Sequence, residues 1–128
     1  MQGSGIMAEN ILVCVKQGEE LNIPMVIKSD GVPLDISGST VRFIVKRVNQ
    51  ESAPPLFPIK NITETSNINT VGQITNPSVG ELEVRINKSD TAFPPNDYYL
   101  VIFLDTGNQA DIISADCGNS GLYRIDNQ

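Results

Sequence analysis

Side chains able to do chemistry are few in this chain, and they stand apart from one another. The 128 residues include no histidine and two cysteines, Cys14 and Cys117. Without histidine, the commonest general base, metal ligand and nucleophile activator is missing. A thiol nucleophile needs a group that stabilises its thiolate, and no Lys or Arg flanks Cys117. Paired carboxylates could hydrolyse glycosides. Here the acids are scattered, among them Asp30, Asp35, Glu51, Glu64, Glu81, Glu83, Asp90, Asp97, Asp105, Asp111 and Asp116. Most fall in predicted turns, where Asp bonds its own backbone. Glu81 and Glu83 share one face of one strand, the pattern of a solvated face. No Asp-x-Asp-x-Asp-Gly calcium loop is present. Asn61-Ile62-Thr63 and Asn87-Lys88-Ser89 match the glycosylation acceptor but follow no secretory leader, and are read as chance. The residues therefore predict no enzyme, no metal site and no cofactor.

What remains is contact through stiff loops. Pro54, Pro55 and Pro58 make the stretch at 51–59 extended. Stiff loops lose little entropy on binding, so apolar groups on them are good anchors. Leu56 and Phe57 either dock a neighbouring subunit or begin the next strand and face inward. Ala92-Phe93-Pro94-Pro95-Asn96 is a second stiff loop with an aromatic. Phe93 either plugs one end of the core or binds a partner. The candidate protein-contact residues are Pro54, Pro55, Leu56, Phe57, Phe93 and Pro94.

Charge and composition narrow the partners. Fifteen acidic against nine basic residues leave a net charge of −6. A duplex-binding protein needs a basic stripe, and the densest basic point is Lys46-Arg47, so nucleic acid is not an expected partner. No run of eighteen apolar residues offers a membrane span. Residues 1–10 lack the basic and apolar regions of a signal peptide and read as a flexible arm or a cloning scar ahead of Met7. Residues 11–128 read as one domain, long enough to bury roughly two-thirds of its extended-chain surface.

The elements that must position these loops are strands. Period-two alternation predicts nine, at 10–16, 21–27, 40–47, 57–63, 70–74, 80–86, 98–104, 110–114 and 121–125. Gly, Pro, Asn and Asp separate them, which suggests a sandwich or barrel. Pro24 removes a ladder donor and implies an edge or a bulge. The first strand is apolar on both faces, so it is covered twice or pairs with a neighbour. Residues 87–92 could hold one helical turn, with Asp90 and Thr91 as local caps. Tyr98 or Tyr99 could bond backbone across a loop through its hydroxyl.

The most specific stretch runs from Asp30-Gly31, a hairpin-turn pair, through Pro33-Leu-Asp-Ile-Ser-Gly-Ser-Thr-Val-Arg-Phe43. Leu34 and Ile36 point one way and Asp35 the other. Ser37-Gly38-Ser39 breaks the chain, and Val41, Phe43 and Val45 resume burial. This stretch resembles the immunoglobulin-like domain of tailed-phage structural proteins, such as the N-terminal domains of baseplate upper proteins and related tail- and head-fibre modules. Gly80-Glu-Leu-Glu-Val-Arg-Ile86 and Ser89 through Phe103 resemble two further strands of that family. Asn96-Asp97 stands where the family usually has Gly, and both residue types tolerate the turn. The likeness covers about residues 20 to 126.

The resemblance implies an all-β, immunoglobulin-like antiparallel β-sandwich of about seven to nine strands. It implies a virion structural protein, assembled in the host cytoplasm, acting as an adaptor or connector in the tail, baseplate or fibre-attachment region. Its partners would be other virion proteins and further copies of itself in a homo-oligomer, with no nucleic acid and no membrane. Family members in which a fibre follows this domain are longer, which makes a standalone connector or a capsid decoration (cement or head-fibre) protein a further expectation. A carbohydrate-binding module for host adsorption is the alternative, though the chain has no Trp. Phage proteins fold in a reducing cytosol, where disulfides rarely form, so Cys14 and Cys117 are expected as free, mostly buried thiols.

Overall fold

Alternating apolar residues set the strands, and two sheets bury the alternate positions against each other. The computed structural model describes residues 11–29, 32–48, 50, 52–105, 110–112, 114–115 and 120–127. Eleven strands lie among them: β1 (Ile11–Lys16), β2 (Leu21–Ser29), β3 (Val32–Pro33), β4 (Thr40–Lys46), β5 (Lys60–Ile62), β6 (Gly72–Asn76), β7 (Glu81–Ile86), β8 (Asn96–Asp105), β9 (Ala110–Ile112), β10 (Ser114–Ala115) and β11 (Ser120–Asp126). One sheet runs β1-β11-β8-β4-β5, with β9 also on β8. The other runs β10-β2-β7-β6, with β3 also on β2. The protein is an all-β sandwich, as the alternation predicts. Setting aside the two-residue strands β3 and β10 leaves nine.

The core is the inner face of both sheets. Val41, Phe43 and Val45 of β4 meet Tyr98, Leu100, Ile102 and Leu104 of β8, with Tyr123 and Ile125 of β11 beside them. From the other sheet come Met25, Ile27, Ile74, Leu82, Val84 and Ile86. At about 25 cal/mol per Å² of apolar surface, this burial is the main force holding the sheets together.

Particular expectations meet particular outcomes. β1 pairs with β11 in parallel, so the sandwich is not wholly antiparallel. The first and last strands run the same way along one sheet edge, and parallel pairing is the only kind open to them there. Cys14 and Lys16 are exposed, so this stretch of β1 is covered on one face only. Pro24 lies on the half of β2 that pairs with β7 alone among the described strands, an edge that spares its missing donor. The strand expected at 57–63 shrinks to β5 because Pro55 and Pro58 supply no N–H before it. The strand expected at 70–74 starts later. The Asn67 carbonyl accepts from the N–H groups of Thr70, Val71 and Gly72, and this turn consumes the preceding residues.

Asn96 and Asp97 do not turn; they extend β8 and pair with Ile125 and Arg124. Leu34 is half-buried, Asp35 exposed and Ile36 fully buried, as the alternation predicts. Asp30 and Gly31 lie outside the described residues, but their flanks Ser29 and Val32 are register partners. The helical turn expected at 87–92 is a 3₁₀ turn at Lys88–Thr91. A second 3₁₀ turn, Pro77–Val79, was not legible. It ends on Gly80 at φ 72°, where a Cβ would sit 2.5 Å from the Ile27 carbonyl oxygen, so only glycine fits.

Candidate interaction surface

The two stiff loops meet at one end of the sandwich. The loop from β4 to β5 folds back on its own strand, where Lys46 bridges to Pro55 and Leu56 N–H donates to the Val45 carbonyl at 2.6 Å. That turn drives Phe57 into the core, where it is buried. Phe57 is thus an interior residue and cannot serve as a surface anchor, which corrects its place among the candidate contacts. Leu56 is half-buried against the core rim, while Pro54 and Pro55 are exposed.

The β7–β8 connection arrives beside it. Phe93 lies 6.5 Å from Phe57 and 6.5 Å from Tyr98 by ring centroids. It caps the core end, half-buried, while Pro94 stays exposed. The Phe93 carbonyl accepts from Gln17 Nε2 at 3.1 Å, which ties this loop to the β1–β2 turn. Tyr98 O–H donates to the Pro94 carbonyl at 2.6 Å, the backbone-locking role expected of Tyr98 or Tyr99. Arg47 places its guanidinium 5.8 Å over the Phe93 ring, a cation–π contact. The exposed side of the end is a groove of about 250 Å³ lined by Arg47, Val48, Ala53, Pro54, Pro55 and Leu56. Val48 is 47% exposed there, one of the few large apolar side chains in the open among the described residues.

Beneath this rim is a polar cluster that the sequence reading did not find. Lys60 Nζ donates to Asp90 Oδ2 at 2.7 Å, with the side chains 5% and 6% exposed. Asn87 N–H donates to the same oxygen at 2.8 Å, closing a capping box on the 3₁₀ turn. Tyr123 O–H donates to the Asp90 carbonyl at 3.0 Å. Lys60 Nζ sits 5.3 Å from the Phe57 ring centroid, and Tyr123 meets Phe57 edge-on at 5.7 Å. Burial first, and the charge of Asp90 second, push the Tyr123 phenol far above its ordinary value, so it stays a neutral donor. Period two was the available signal: it puts Lys60 on the same inward face as Ile62.

Cys14 carries a free, exposed thiol rather than a buried one. Its Sγ donates to Asp126 Oδ2 at 3.3 Å. That bond, then burial and the Asp126 charge, raise the thiol above its usual value, the reverse of an activated nucleophile. Cys117 lies outside the described residues. At the same edge Arg124 Nε donates to Asp97 Oδ1 at 2.6 Å.

Compared with protein-family models and with curated protein sequences, the chain matches none.

Proposed function

We propose that this chain is an immunoglobulin-like structural protein of a phage virion, an adaptor or connector whose neighbours seat on the proline-stiffened end of the sandwich. Strand order supports the immunoglobulin-like part. Named in chain order without β3, β9 and β10, which pair only with β2 or β8 at their ends, the strands read A, B, C, C′, D, E, F and G. The sheets are then B-E-D and G-F-C-C′, an order that supports the immunoglobulin-like reading. β1 departs from it by joining the G edge. The Tyr98 hydroxyl, near the start of strand F and bonded to backbone upstream, is a second hallmark. The virion part rests on the sequence resemblance at 33–43 and 80–103.

One observation carries the contact surface: two loops distant in sequence converge into a single rim in which Arg47, Val48, Pro54, Pro55 and Pro94 face solvent around a half-buried Phe93. Rigid proline backbone, an apolar floor and one arginine are the make-up of a protein-binding hot spot. The carbohydrate reading finds less support. Of seven aromatic rings, Phe43, Phe57, Tyr98 and Tyr123 are buried, and Phe93, Tyr99 and Phe103 are half-buried. Sugars stack on open rings.

The test is sedimentation of phage particles from cells that make this chain, probed with an antibody to it. The chain is expected to travel with the particles, and Val48→Glu is expected to release it without lowering the melting temperature. A chain that never leaves the soluble fraction overturns the proposal. Labelling on the head rather than the tail assigns it to capsid decoration instead.

A further inference from the structure

We propose that Lys60 and Asp90 condense into an intramolecular amide inside the folded sandwich. The inference goes beyond the virion reading and does not depend on it. The reactants are already in contact, with Nζ and Oδ2 2.7 Å apart and both side chains about 95% buried. The bond to be formed is Nζ–Cγ rather than this hydrogen bond; once the carboxyl carbon is turned into line with the amine, effective molarities of well-oriented groups reach roughly 10⁵–10⁸ M. The rings of Phe57 and Tyr123 line the site and keep water from diluting the pair or hydrolysing a product. The Asn87 N–H at 2.8 Å is a fixed donor on the oxygen that would become the tetrahedral oxyanion.

The step balances without a co-reactant. A proton crosses from the ammonium to Oδ1, the carboxyl oxygen that Asn87 N–H does not hold. The Nζ lone pair attacks Cγ. The C–N bond forms, and the displaced electron pair goes to the oxygen held by Asn87 N–H. A second proton passes from nitrogen to the other, hydroxyl oxygen. That oxygen leaves as water when the C–O bond breaks, and the third proton remains as the amide N–H. Nothing is oxidised or reduced. A neutral amide then replaces two buried charges and removes their desolvation cost. It also ties β5 to the Lys88–Thr91 turn and closes the chain from 60 to 90 into a loop.

Intact-mass spectrometry of the folded full-length chain, aged at neutral pH, decides the matter. The expected product is lighter than the sequence mass by one water, and a digest is expected to yield a branched peptide joining Lys60 to Asp90. Lys60→Met is expected to keep the full mass. An Asp-Gly succinimide also loses one water, so equal loss in Lys60→Met, or a digest placing the loss at Asp30-Gly31, overturns the amide. If Lys60→Met does not fold, the digest of the unsubstituted chain decides alone. A folded chain that keeps its full mass overturns the proposal and leaves the virion reading intact.

Discussion

Two ion pairs in this sandwich share a chemistry and differ in surroundings. Arg124 and Asp97 pair across β11 and β8 with two short contacts, 2.6 and 3.1 Å, and their side chains are 37% and 35% exposed. Lys60 and Asp90 pair at 2.7 Å with almost no exposure. Water and salt screen the first, so good geometry earns it little stability. The second has lost its water, so each charge depends on the other and on Asn87 N–H. Burial, not distance, decides which pair the fold cannot do without.

The largest effect expected is from leaving one buried charge alone. Asp90→Ala should destabilise the protein by about 3–5 kcal/mol in urea titrations. The double variant Lys60→Met/Asp90→Leu should recover most of that loss, because apolar replacements often match a buried pair. A double variant as weak as the single would mean that the pair, and not its burial, supplies the stability. Tyr123→Phe removes the donor to the Asp90 carbonyl and should cost about 1–3 kcal/mol, the penalty of a buried unsatisfied acceptor. Tyr98→Phe, at the half-open rim, should cost about 1 kcal/mol by the same measurement.

The smallest effect is expected at the exposed pair, and pH isolates it. The Arg124 guanidinium holds the Asp97 carboxyl below its ordinary value. A group whose folded-state value is depressed stabilises above its unfolded value and loses that contribution as pH falls through the folded one. Asp97→Asn should therefore melt slightly below the unsubstituted protein at neutral pH. The two melting curves should converge as acid protonates Asp97, from about pH 4 downward. They should also converge in about 1 M salt, where the screening length is about 3 Å. A difference that survives the salt would show that the Asp97–Arg124 pair is not screened by solvent.

The division between local and distant information explains what was legible. Val41, Phe43 and Val45, or Leu82, Val84 and Ile86, announce a strand by alternation alone, and the structure buries every one of them. Phe57 alternates no better than it docks by sequence. Its burial depends on Leu56 N–H reaching back to Val45, a contact set by the turn between them. The Lys60–Asp90 pair was not legible because its partners stand thirty positions apart. Cys14 looked buried because its neighbours are apolar, yet it faces outward at a sheet edge.

By itself the sequence determined the class of elements, the inward residues of the regularly alternating strands and the absence of histidine chemistry. Those follow from side-chain type and a two-residue period, both local properties. Tertiary structure alone decided that β1 runs parallel to β11, that two proline loops share one rim, and that a lysine and an aspartate meet in the dark of the core. Each of these depends on which strands become neighbours. That choice is made by the burial of the whole apolar surface, and no short window of residues contains it.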